Sequence, residues 1–180
     1  MAYAQKILPH YTYDDWIHWE GRWELIDGFP VAMSPMPVPK HQRVATLLTF
    51  EFELSLRKSK CKLCKVYQPL DYKIADDIIL IPDALIVCKK ITKPYLDFAP
   101  ALVVEVLSPS TVLRDRNTKF DLYQSQGIKY YLIVDADKKV IDIYWLKNGT
   151  YELQPFAPDF SFDLEDGCTI QPDFSLIWEE

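Results

Sequence analysis

Ile79-Leu80-Ile81-Pro82-Asp83-Ala84-Leu85-Ile86-Val87 and Ala101-Leu102-Val103-Val104-Glu105-Val106-Leu107 each set a single acid in an otherwise apolar run. Short runs this apolar read as strands buried on both faces, near the middle of a sheet. An ionised carboxylate buried there is costly unless it is paired, hydrogen-bonded or bound to a metal. Two such acids, in the two strands that read as most central, call for a shared explanation. Adjacent strands lie about 4.8 Å apart, so carboxylates on one face converge. Converging carboxylates repel, which raises one pKa or recruits a cation. A hard divalent ion such as Mg²⁺, or Mn²⁺ in its place, uses one or two carboxylates plus waters and substrate phosphates. Such an ion polarises a phosphoryl oxygen and activates water. Asp83 and Glu105 are therefore the candidate metal ligands. The alternative pairs each acid with a buried lysine or with one of Arg22, Arg43, Arg57, Arg114 and Arg116. The likeness of the two acid positions favours the metal.

Working outward, Ser110 or Thr111 opens a helix predicted to run about 15 residues to a C′ glycine at Gly127, with Leu113, Phe120 and Tyr123 inward. Strands follow at Lys129 to Val134 and Val140 to Leu146, about a turn at Asp135 to Lys138. Upstream, Lys65 to Gln68, Leu70 to Ile74 and Ile78 to Cys88 are candidate strands, with Asp76-Asp77 turning between the last two. A helix from about His41 to Lys58 presents Val44, Leu47, Leu48, Phe52 and Leu56 on one face. Pro35, Pro37 and Pro39 mark the loop before it. Asp27-Gly28 joins two strand-like runs as a hairpin, although Pro30 weakens the second. Thr12 N-caps a short helix reaching about Glu20, and the aromatic C-terminal part adds a further strand or two. The expected fold is a single α/β (mixed α+β) domain over residues 1–180, a central mixed sheet flanked by helices.

The bulk numbers fit one soluble domain with one sizeable core: 180 residues, 49% hydrophobic, 26% charged. Met1 to His10 carries no apolar leader and no run spans a bilayer, so a cytoplasmic location without membrane contact is expected. The net charge of −6 argues against wholesale polyanion binding but leaves room for local basic patches. Arg57, Lys58, Lys60, Lys62 and Lys65 crowd one segment, and Arg114, Arg116 and Lys119 another. The first group is expected to be a solvated face. Cys61, Cys64, Cys88 and Cys168 do not complete a zinc set, and unpaired thiols are expected.

Glu105-Val106-Leu107-Ser108-Pro109-Ser110-Thr111, followed by Lys119, Tyr123, Gly127 and Tyr130 to Asp135, carries a family likeness, as do Trp23 to Gly28, Met33-Ser34-Pro35 and Pro82-Asp83. From about residue 12 onward the chain resembles the Uma-two family of endonucleases, within the restriction-endonuclease-like PD-(D/E)XK superfamily. The wider signature has a lysine two residues after the second acid, where this chain has Leu107. The resemblance implies that the lysine has moved to the following helix, at Lys119. There it would orient water or offset transition-state charge, against a reading as an exposed lysine paired with Asp115. The resemblance also implies a catalytic role for Glu24, an early acid that would supplement the metal site, against a reading as an ordinary outward strand residue. Asp71 is a weaker candidate, Tyr123 a brace for Lys119 or a core residue, and His41 a surface or capping histidine rather than a phosphate contact. The implied activity is metal-dependent phosphodiester hydrolysis of DNA, by a homodimer suited to duplex cleavage. A non-catalytic nucleic-acid or partner-binding module on the same fold is the alternative.

Overall fold

The computed structural model describes residues 8–33, 38–158 and 160–178. Pro35 and Pro37, Ser34, and most of the Met1 to His10 segment fall outside them.

The chain opens with a one-turn helix α1 (Tyr13–Trp16) and a hairpin, β1 (Trp23–Ile26) and β2 (Phe29–Ala32). Asp27 and Gly28 both take positive φ, 49° and 73°, as a two-residue turn matched to strand twist requires. The long helix α2 (Pro39–Lys58) follows, with proline at its start. Then come β3 (Lys65–Tyr67), β4 (Tyr72–Ala75), β5 (Ile78–Leu80), β6 (Ala84–Val87) and β7 (Leu102–Val106). Helices α3 (Val112–Arg116) and α4 (Thr118–Ser125) lead into β8 (Tyr130–Asp135), β9 (Val140–Lys147) and β10 (Thr150–Gln154). A ribbon of β11 (Phe162–Asp163) and β12 (Thr169–Ile170) closes the chain, with short 3-10 turns beside it.

Among the described residues the strands form a six-stranded sheet, β10-β9-β8-β7-β6-β3, and a four-stranded sheet, β2-β1-β5-β4. Only the β7–β8 pair in these is parallel, because α3 and α4 carry the chain back over the sheet. Strand alternation splits the core into two faces. On one, Ile86, Val104 and Leu132 meet Val44, Leu48, Phe52 and Leu56 of α2, closed over by Phe162, Phe174 and Ile177. On the other, Leu85, Val103 and Ile133 meet Leu80 of the smaller sheet and Tyr123 of α4. The mixed sheet flanked by helices is the fold expected from the sequence.

Four local expectations are corrected. The first helix ends at Trp16 rather than near Glu20. The Ile78 to Cys88 strand is two strands, broken over Ile81 to Asp83, where Pro82 has no N–H to give a ladder. The helix to Gly127 breaks at Asn117, which sits at φ −127°, ψ −79°. The four cysteines are not free thiols: Cys61 bonds Cys168 and Cys64 bonds Cys88. The pairing of β3 with β6 sets Lys65 opposite Val87, so Cys64 and Cys88 meet one step further on.

Candidate active site

The break at Pro82 and the end of β7 create the site. In the β6–β7 ladder Ala84 faces Val104, and continuing that register sets Asp83 opposite Glu105 on the face of Leu85 and Val103. Asp83 is anchored there by the backbone N–H of Val106, which donates to its Oδ2 at 2.8 Å. Hairpin strand β1 pairs with β5 and brings in Glu24, whose Oε1 accepts the N–H of Ile81 at 3.0 Å. Helix α4 supplies Lys119. All four sequence candidates line one cleft of about 410 Å³, together with His41, Arg22, Arg114 and the Leu107–Thr111 loop.

Lys119 is 2% exposed, so the exposed-lysine reading is overturned. Its Nζ lies 2.7 Å from Glu24 Oε1, 2.8 Å from Glu105 Oε1 and 3.7 Å from Asp115 Oδ1. Tyr123 also donates its hydroxyl to Glu105 Oε1, at 2.7 Å, so it braces the carboxylate rather than the lysine. Arg114 stands with Nε 3.6 Å from Glu24 Oε2, and neither atom has a hydrogen-bond partner among the described residues.

Three buried carboxylates thus share one buried ammonium. Burial pushes the Glu105 carboxyl up; Lys119 pulls it down, but Asp115, Asp83 and Glu24 push it up again, and it ends well above the usual range. Asp115 is raised as well, by burial first. Burial alone would lower Lys119, yet Glu105, Glu24 and Asp115 outweigh it and hold the proton on the amine. The acids thus hold Lys119 in its protonated, cationic form.

His41 is a correction. It is buried at the start of α2, with Nε2 3.3 Å from Asp83 Oδ2. Burial lowers its pKa, but the hydrogen bond and charge of Asp83 raise it further, and the net shift is upward. The helix start beside prolines was the only sequence signal for it. Asp115, four residues before Lys119, was visible only as that lysine's helix partner. Asp71 lines a separate surface depression near Trp16 and Pro69.

The donor set fits a hard cation in part. The hydrogen bond and ion pair of Asp83 both fall on Oδ2, and the hydrogen bonds of Glu105 both fall on Oε1, so each keeps one oxygen uncommitted among the described residues. That matches the one or two carboxylates that Mg²⁺ needs beside water and substrate oxygens. Among the described residues no three His, Cys, Asp or Glu side chains group as a protein-only metal cage.

A nuclease described as putative, from Anabaena variabilis, shares the fold, with a TM-score of 0.72 at 15% identity over 93% of this chain and 97% of that one. An uncharacterised protein of Synechocystis is 30% identical over 145 residues, 76% of this chain and 75% of its own. The profile of the Uma2 family, described as "Putative restriction endonuclease", matches residues 11–178. With a match over nearly its whole length, the chain belongs to the Uma2 family.

Proposed function

We propose that this nuclease-family chain is a divalent-metal-dependent endonuclease that hydrolyses phosphodiester bonds in DNA. The observation that supports it is the convergence of Asp83, Glu105, Glu24 and the buried ammonium of Lys119 in one open cleft. Asp83 and Glu105 would hold Mg²⁺ or Mn²⁺ through their uncommitted oxygens, with a backbone carbonyl near Val106 as a further ligand. Bound there, the cation would polarise the scissile phosphate and activate water. Lys119 holds Glu105 and Glu24 in place and presents fixed positive charge where the phosphorane gathers negative charge. Glu24 is a positioning residue, acting through its grip on that ammonium. Tyr123 and the Val106 N–H orient the two carboxylates. Homodimerisation would set two such clefts against the two strands of a duplex.

A plasmid-relaxation assay with Mg²⁺, Mn²⁺ or chelator tests the reading, beside calorimetry of metal binding. Cleavage is expected with metal only, and is lost in Lys119→Ala while metal binding persists. A chain that binds DNA but cuts none with any divalent metal refutes the hydrolase. It would instead be a binding module, a reading favoured by the ion pairs that Lys119 makes with Glu24 and Glu105 without a metal.

A further inference from the structure

Seven of the chain's 20 lysines and arginines gather far from the cleft: Arg57, Lys58, Lys60, Lys62, Lys65, Lys89 and Lys90. All are exposed. They come from three places, the end of α2, the loop into edge strand β3, and the turn after β6. Two disulfides fasten these segments to one another and to the C-terminal ribbon. The acids that face them are few. Glu53 pairs with Arg57 at 2.7 Å, Glu165 stands 3.9 Å from Lys89, and Asp173 feels the charge of Lys58. Among the described residues Lys60, Lys62, Lys65 and Lys90 have no ion-pair partner. A groove of about 320 Å³ runs through the patch, lined by Arg57, Lys62 and Lys65 beside Glu53 and Tyr67. In a chain of net charge −6, so dense a cationic surface concentrates the attraction for a polyanion in one place.

We infer that this patch is a second nucleic-acid contact, which grips the phosphate backbone away from the scissile bond. The inference takes its partner from the nuclease reading. Helix α2 links the two places: His41 at its start lines the cleft, and Arg57 near its end lines the groove. Its 20 residues span about 30 Å, the length of eight or nine base pairs. The exposure of Arg57, Lys58, Lys60, Lys62 and Lys65 agrees with the solvated face expected from the sequence, and the inference adds a partner to that face on the strength of the groove and of Lys89 and Lys90 beside it.

The test is binding of a labelled 30-base-pair duplex to the full chain in chelator, across a salt series, so that cleavage plays no part. The Lys60→Gln/Lys62→Gln/Lys65→Gln variant is expected to bind about tenfold more weakly at moderate salt. Its slope of log K against log salt should be shallower by about 2 to 3, since each lost phosphate contact removes nearly one. Lys89→Gln/Lys90→Gln should reduce the slope again. These exposed changes leave both cores untouched. Equal affinity and slope in both variants overturn the inference, even if the wild type proves an active nuclease. A reduced slope upholds it even if no cleavage is ever seen. Loss of binding to phosphatidylserine vesicles with duplex affinity intact would assign the patch to a membrane surface and also overturn it.

Discussion

Lys119 carries its charge at a depth where a lone ammonium would be expelled or neutralised, and it stays because three carboxylates surround it. Removing one partner from such a cluster strands the others. Lys119→Ala is therefore expected to cost about 3–5 kcal/mol of stability, in addition to its loss of turnover. Urea melts beside the cleavage assay check this, and an unchanged midpoint would mean the acids simply protonate without strain. Asp83 differs, since its side chain keeps a modest 17% exposure and its partners are the Val106 N–H and His41. Asparagine can still accept from Val106 but cannot stabilise an imidazolium. In Asp83→Asn the His41 pKa should fall below its wild-type value, as proton NMR titration would show. The sign for stability follows. A histidine raised in the folded state contributes stability that is complete below about 6.5 and fades as pH rises through the folded pKa. That fading should flatten in the variant, while stability in chelator at pH 8 is held or slightly improved. A large loss there would instead make Asp83 a structural partner.

The elements around these residues differ in how far the sequence reveals them. Strands β6 and β7 were legible because burial on both faces leaves an unbroken apolar run, against which Asp83 and Glu105 stand out. The α2 face was legible because its period is helical. The break at Asn117 was not, for no proline or glycine marks it. Its cause is part tertiary and part local. The Tyr131 hydroxyl donates to the Asp115 carbonyl at 2.9 Å, the acceptor an unbroken helix would offer to the N–H of Lys119. The Asn117 side chain likewise bonds the Leu113 carbonyl at 2.7 Å. His41 and Arg114 were illegible as site residues for a similar reason: their places depend on where α2 and α3 pack, which local pattern does not encode. Tyr131→Phe would either leave a buried carbonyl without its donor, costing about 1–3 kcal/mol, or hand that carbonyl to the N–H of Lys119 and let the two helices run together. Cleavage should then fall with it, because Lys119 moves. Asn117→Ala, on the exposed side, should cost no more than about 1 kcal/mol. Equal and small effects in both variants would show that the break is not what positions the lysine.

At the scale of the whole molecule the two disulfides do different work. The spacing of Cys61 and Cys64 invited a local reading, while their actual partners lie 107 and 24 residues away. Cys61–Cys168 fastens the exit of α2 to the C-terminal ribbon, whose Phe162, Phe174 and Ile177 close the α2 face of the core. Cys64–Cys88 only reinforces a strand pair already hydrogen-bonded. A cross-link stabilises chiefly by restricting the unfolded chain, and the restriction grows with the loop it closes. Loop entropy alone assigns about 5 kcal/mol to the longer link and about 3 kcal/mol to the shorter. Cys61→Ala/Cys168→Ala should accordingly lower the urea midpoint more than Cys64→Ala/Cys88→Ala, and the longer pair's loss should also expose the aromatic ribbon. Thiol titration of the denatured, unreduced wild type should find no reactive cysteine. Incubation with dithiothreitol should lower the melting temperature at least as far as the more damaging of the two variants. Four titratable thiols in the denatured protein, with no response to reductant, would return the cysteines to the unpaired thiols first expected.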